Sequence, residues 1–252
     1  MDALDLHGSL CLAMLGLAAV TFAALLLVPA PYGRHARAGW GPSIPARLGW
    51  ILMESPAVAW FAAVYLSGRH RAETAPLVLL GLWQAHYLHR VLVFPFRMRG
   101  PGRRMPLLVA ALAFGFNLLN GWINARWISH LGSYPGGWLL GPRFLLGAAL
   151  FAIGFAVNVR SDSILFRLRA PGESGYRIPR GFLFEQVTCP NYLGEIVEWT
   201  GWAVATWSLP GLAFATYTFA NLAPRALAHH RWYVSRFPDY PADRKALVPF
   251  LF

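Results

Sequence analysis

Apolar residues in this chain gather into seven runs, near residues 9–28, 46–66, 75–95, 106–129, 143–165, 190–208 and 211–230. A bilayer core takes about 20 helical residues to cross, and only helices or closed barrels satisfy their own backbone inside it. The pattern predicts an all-α integral membrane protein with seven transmembrane helices, the last two joined tightly at Ser208, Leu209, Pro210 and Gly211. No tandem repeat, low-complexity tract or long linker interrupts it, so residues 1–252 read as a single membrane-embedded domain.

Composition supports that reading: 56% of residues are hydrophobic and 13% charged, against about 25% charged in soluble proteins. The net charge of +11 would suit nucleic acid, but the basic residues alternate by loop as the positive-inside rule requires. With the N-terminus outside, 18 basic residues fall on the cytosolic side and only Arg69, Arg71, Arg126 and Arg143 outside. The expected orientation is therefore N-terminus outside and C-terminus cytosolic, in agreement with the acidic start at Asp2 and Asp5. Negative charges ahead of the first apolar run argue against a cleavable signal peptide. Cys11 and Cys189 are the only cysteines and fall in different parts of the membrane system, so no disulfide framework is expected. The Ala, Gly and Arg bias with a single Lys suits a GC-rich bacterial source, where the membrane would be the cytoplasmic one; in a eukaryote it would be the endoplasmic reticulum.

The outer connections are short and the inner ones long, basic and rich in Gly, Pro and Tyr, which puts ligand chemistry at the cytosolic face. Neither GxGxxG after a strand nor GxxxxGK[ST] occurs, so a nucleotide must be held by loops and helix ends. The dense polar block from Asn158 to Trp199 is where a charged cofactor is expected. Within it, Arg169, Tyr176 and Arg177 suit a dianionic phosphate, since guanidinium forks bind oxygens in pairs, although basic cytosolic loops often only obey the charge rule.

Inside the spans, Glu54 is an ionisable group in hydrocarbon, costly unless it is paired, protonated or facing a cavity. It is either functional or a structural hydrogen-bonding residue between helices. Tyr87 lies at a similar depth, and antiparallel neighbours would let the two meet. Asn191, Glu195 and Glu198 share one helix face and Arg225, His229 and Tyr233 another, reading as two walls of a polar pocket or as an ion pair between Arg225 and Glu195 or Glu198. Asn117, Asn120 and Asn124 line a cavity or bond between helices. The pairs His86 with His89 and His229 with His230 lack metal-site spacing, so no metal is expected.

From near Tyr32 to the C-terminus the chain resembles the steroid 5-alpha-reductase family. The resemblance rests on Glu54 in WILMESP, AHYLHR at 85–90, NVRSDSILFRLRAPGESGYRIPRGFLFEQV, NYLGEIVEWTGWAVATWSLP and HHRWYVSRFPDYPADRKALVPFLF. It implies a seven-helix membrane oxidoreductase that moves hydride from NADPH to C5 of a 3-oxo-Δ4 steroid, giving the 5-alpha-reduced 3-oxo steroid. It implies further that Glu54 and Tyr87 hydrogen-bond the C3 carbonyl, with Tyr87 or a water assisting protonation. NADPH would touch Asn158, Asp162, Arg169, Tyr176, Arg177, Asn191, Glu195, Arg225, His229 and Tyr233, joined by Tyr32, His35 and Arg90. Trp50, Phe116 and Trp199 would flank the steroid, unless they are plain packing. The expected partners are a testosterone- or progesterone-like steroid and membrane lipid, with no nucleic acid. Met53 and Phe94 depart from the family pattern, where Gln and Tyr occur, and bear on steroid preference. Other readings are a sterol-ring reductase, an isoprenylcysteine-type methyltransferase and a non-catalytic sterol-binding membrane protein or transporter.

Overall fold

The computed structural model describes residues 3–31, 33–98, 102–168 and 175–252. Long helices dominate: α1 (Ala3–Leu27), α2 (Ala46–Leu66), α3 (Thr74–Leu88), α5 (Leu107–Arg126), α6 (Pro142–Arg167), α7 (Pro190–Thr206) and α8 (Leu209–Arg236). A π turn at His89–Val93 carries α3 into the short α4 (Phe94–Arg97), and a second π turn, Trp127–Leu131, ends α5. Each of the seven apolar runs falls on one long helix. Five helical stretches among the described residues are long and apolar enough to cross a membrane: Leu4–Leu27, Ala46–Leu66, Thr74–Arg97, Leu107–Leu131 and Pro142–Arg167. The other two differ for visible reasons, since α7 has only 17 residues and the second half of α8 carries Asn221, Arg225, His229, His230 and Arg231.

Helix starts follow local chemistry. Pro142, Pro190 and Pro210 sit in the first turns of α6, α7 and α8, where proline's missing N–H costs nothing. Ser208 caps α8 by accepting a hydrogen bond from Gly211 N at 3.1 Å. Outside the helices, β1 (Ser43–Pro45) pairs antiparallel with β2 (Arg104–Pro106), with Ile44 opposite Met105.

Two packing features position the site. Gly147, Gly154, Gly194 and Gly201 form a seam between α6 and α7 that lets the backbones touch; a Cβ added at Gly194 would lie 2.5 Å from Asn158 N. Small residues permit such approach where lipid offers no hydrophobic drive, and here they bring Asn158 and Asp162 on α6 against Asn191 and Glu195 on α7. The second feature is an aromatic core of Phe61, Trp83, Trp199, Trp202 and Phe214. Its polar edges are satisfied: Trp83 Nε1 donates to Ala57 O at 2.8 Å and Trp202 Nε1 to Asn124 Oδ1 at 2.9 Å. Asn124 Nδ2 in turn donates to Asn120 Oδ1 at 2.9 Å, so these two asparagines serve packing, while Asn117 faces a cavity.

Candidate active site

A cavity of about 940 Å³ opens among the helices and contains side chains from α1, α2, α3, α5, α6, α7 and α8. One part of its wall is apolar, with Trp50, Met53, Met105, Leu112, Phe116 and Phe214. Glu54 and Tyr87 reach this part from different helices. Asn117 Nδ2 fixes the Glu54 region by donating to Met53 O at 2.7 Å and to Glu54 Oε2 at 3.2 Å. The Tyr87 ring packs against Trp83 and Trp199, with centroids 4.9 and 5.6 Å away. Its hydroxyl makes no hydrogen bond among the described residues.

Arg90 joins the apolar part to the polar one. It projects from the π turn, a distortion that recurs at functional sites, and lies 3.8 Å from Glu54 Oε1 and 3.9 Å from Asp162 Oδ2. Its guanidinium also sits 4.8 Å from the Trp50 ring and 4.6 Å from the Phe94 ring, so one cation spans the acids and two aromatic faces.

The glycine seam supplies the polar end. Asn158 Nδ2 donates to Asn191 O at 3.0 Å and Glu195 Oε2 at 3.3 Å, and Asn191 Nδ2 donates to Asp162 Oδ1 at 3.0 Å. The buried Asn158 Oδ1 has no partner among the described residues, which leaves an acceptor for a ligand. On α8, Arg225 donates to Asn221 Oδ1 at 3.2 Å and to the Tyr192 hydroxyl at 3.0 Å. The Tyr192 hydroxyl lies 3.2 Å from His229 Nε2, and His229 Nδ1 lies 3.1 Å from His35 Nε2. Burial, followed by the charges of Arg34, Arg225 and Arg37, pushes His35 below its ordinary value, so this imidazole is neutral near pH 7. Arg34 donates to the Tyr233 hydroxyl at 3.3 Å and lies 5.3, 4.8 and 4.4 Å from the rings of Tyr176, Trp232 and Tyr233. Tyr233 also donates to Arg177 O at 3.4 Å.

Thirteen of the eighteen catalytic, cofactor and substrate residues expected from sequence share this cavity: Trp50, Glu54, Tyr87, Arg90, Phe116, Asn158, Asp162, Tyr176, Arg177, Asn191, Glu195, Arg225 and Tyr233. His35 and His229 stand one layer behind, reaching it through Tyr192. Trp199 does not line it: at 1% exposure it belongs to the aromatic core behind Tyr87. Glu198 is likewise absent from the wall and turns to His86, with Oε1 2.8 Å from Nδ1. Tyr32 and Arg169 lie outside the described residues. Among the described residues, no group of three or more His, Cys, Asp or Glu side chains could hold a metal ion. Sequence reasoning missed Arg34, counted only as a loop charge, and Tyr192, hidden beside Asn191; their partners are remote in sequence, and one sequence carries no sign of such pairing.

The family model described as 3-oxo-5-alpha-steroid 4-dehydrogenase matches residues 103–252, more than half of the chain. The chain belongs to this family. Relatives extend the similarity to most of the chain. The steroid 5-alpha-reductase DET2 of Gossypium hirsutum is 47% identical over 237 residues, covering 92% of each chain. The 3-oxo-5-alpha-steroid 4-dehydrogenase 1 of Macaca fascicularis is 48% identical over 223 residues, 88% of this chain and 84% of the relative. Its Homo sapiens counterpart is 47% identical over 223 residues, 88% of this chain and 86% of the relative. For a member of the family, the division of the cavity into an apolar pocket with an acid and a phenol, and a polar end with guanidinium groups and carboxamides, gives room for a flat apolar molecule beside a charged one.

Proposed function

We propose that this chain is an NADPH-dependent, membrane-embedded reductase that converts 3-oxo-Δ4 steroids to 5-alpha-reduced 3-oxo steroids. The observation that carries this reading is the convergence of Glu54 and Tyr87, from two helices, on the apolar end of a cavity whose other end is polar and cationic.

The residues at the polar end suit a dinucleotide. Asn158 offers a buried acceptor without a partner, suited to an N–H donor such as a carboxamide, and Arg177 and Arg225 bring cationic forks that suit phosphate oxygens. Asn158, Asp162, Asn191, Glu195, Arg225 and Tyr233 would hold NADPH, with Tyr176, Arg177, His229 and His35 around it; Tyr32 and Arg169 are further candidates from the sequence. When bound, NADPH supplies the hydride that the steroid receives at C5. The Tyr87 hydroxyl and the protonated carboxyl of Glu54 would donate hydrogen bonds to the steroid's C3 oxygen and stabilise the negative charge that develops there, an effect strengthened by the exclusion of water. Arg90 adds its positive charge to the same region, and Trp50 and Phe116 flank the ring system.

The same reading completes the topology. Helices α7 and α8 join the five apolar stretches to give seven spans in a single domain over residues 1–252, with the N-terminus outside and the C-terminus cytosolic. Support comes from the 18 to 4 division of basic residues and from the match of each apolar run to a helix. NADPH would enter from the cytosol and the steroid from lipid, in a bacterial cytoplasmic membrane or, in a eukaryote, the endoplasmic reticulum.

The test is product analysis by mass spectrometry after incubating purified protein with NADPH and testosterone- or progesterone-like steroids. The expected product is the steroid plus two hydrogens with 5-alpha stereochemistry. Binding of S-adenosylmethionine in place of NADPH, or reduction of a sterol ring alkene instead of the enone, would overturn the proposal.

A further inference from the structure

The resemblance leaves open whether Tyr87 or a water assists the protonation that enone reduction needs beside the hydride, and the proposed function makes no use of the buried pair of His86 and Glu198. Glu198, on α7, is 0% exposed and places Oε1 2.8 Å from His86 Nδ1, while its Oε2 has no partner among the described residues. His86 lines the cavity directly beside Tyr87, with ring centroids 4.9 Å apart. Among the described residues its ring makes only the Nδ1 hydrogen bond, which leaves Nε2 without a hydrogen-bond partner. Glu54, Glu195 and Arg90 are the charged groups acting on it. A carboxyl and an imidazole held in a membrane interior cost several kcal/mol, and an apolar pair would join α3 to α7 without that cost.

We propose that Glu198 and His86 form a two-proton relay that protonates the substrate's α carbon, resting on the reductase reading above. Hydride addition at the β carbon, with the two electrons that a bound nicotinamide dinucleotide would supply, would convert the enone to an enolate. The Nε2–H bond of His86 then breaks as a C–H bond forms at the α carbon, directly or through one water. At the same time the proton on Glu198 Oε1 moves to Nδ1, so the imidazole stays neutral and Glu198 is left as a carboxylate. A proton from solvent, entering through the polar end of the cavity, restores the pair.

The test is a proton inventory of steroid reduction in mixtures of H₂O and D₂O at saturating NADPH. Two protons in flight give a bowed dependence of rate on deuterium fraction for the unaltered protein, and a straight line from an active protein overturns the relay alone. Glu198→Gln and His86→Gln keep similar shapes but break the chain. Each is expected to lower kcat by about 100-fold with NADPH Kd and steroid KM within about twofold, and to change the inventory of the residual activity. Unchanged kcat overturns the relay, as does a loss of kcat with the same inventory, which would mark the pair as structural. Should either variant fail to fold, the inventory of the unaltered protein still decides. Failure of that protein to bind NADPH or to reduce any enone would instead overturn the reductase reading, and the relay with it.

Discussion

The two ends of the cavity use polar groups in opposite ways. At the apolar end, Tyr87 keeps its hydroxyl free of protein partners among the described residues, and Glu54 is held by Asn117 with Arg90 at 3.8 Å. At the polar end, Asn158, Asp162, Asn191 and Glu195 are already knitted together across α6 and α7. Unspent hydrogen-bonding capacity in a dry setting is what charge stabilisation during a reaction requires. A network that holds its own shape beforehand spares a ligand the cost of ordering it. Under the proposed function, the contrast would put chemistry at one end and binding at the other.

The largest expected effects test that assignment at its chemical end. Glu54→Gln and Tyr87→Phe should each lower kcat by about 100- to 1,000-fold, the usual cost of losing one donor to a developing oxyanion. NADPH affinity, read by quenching of its fluorescence or by calorimetry, should stay within about twofold of the unaltered protein. Weakened NADPH binding with normal kcat would erase the division between the two ends.

Next in size is a change to the seam on which the polar end is built. Gly194→Ala places a Cβ 2.5 Å from Asn158 N and 2.7 Å from Gly154 O, so the helices must move apart, at about 1–3 kcal/mol for such overpacking. Tm in detergent should fall, and NADPH affinity should fall with it because Asn158 and Asn191 separate. Gly115→Ala on α5 meets nothing within 4 Å and should hold or raise Tm by the gain in helix propensity, about 0.5–1 kcal/mol. Equal Tm for the two variants would show that the seam does not position the polar end.

Much of this arrangement was legible in the chain itself, and the failures are instructive. A helix repeat puts Asn191 and Glu195 on one face, and that face does meet Asn158 and Asp162. Carrying the same stripe on to Glu198 misplaces it. Where α7 presses against Gly154, one turn beyond Glu195, the neighbour across from Glu198 is His86 on α3 and not the cavity. Trp199 could flank a ligand or fill the core, and nothing in its own neighbourhood of sequence ranks those options; only Trp83, Phe151 and Phe214, from three other helices, decide it. Arg34 shows the same limit. Its cage of Tyr176, Trp232 and Tyr233 comes from more than 140 residues away, while loop charge alone was visible.

A smaller effect probes the binding end from α8. Arg225 bonds Asn221 and Tyr192 and lines the cavity, so Arg225→Gln keeps an N–H donor, on a shorter side chain, while removing the charge. A charge-assisted hydrogen bond contributes about 1.5–3 kcal/mol, and partial replacement by the amide should leave a loss of about tenfold in NADPH affinity. With NADPH saturating, kcat should recover to within about twofold. An irrecoverable kcat would instead place Arg225 in the chemistry and blur the contrast between the ends.

The smallest expected change lies where the steroid meets the wall. The Trp50 ring packs 4.7 Å from Phe94 and beneath the Arg90 guanidinium, so it shapes the apolar pocket without touching the acid or the phenol through any hydrogen bond. Trp50→Leu keeps an apolar surface and removes the flat face. The expected outcome is a rise of about threefold to tenfold in steroid KM, the scale of about 1 kcal/mol for one stacking contact, with NADPH Kd unchanged. Arg90 would keep Phe94 as an aromatic neighbour at 4.6 Å, so its place between Glu54 and Asp162 should hold and kcat should fall little. A large fall in kcat for Trp50→Leu would mean that the ring, by holding Arg90, belongs to the machinery that stabilises charge and not merely to the surface that admits the steroid.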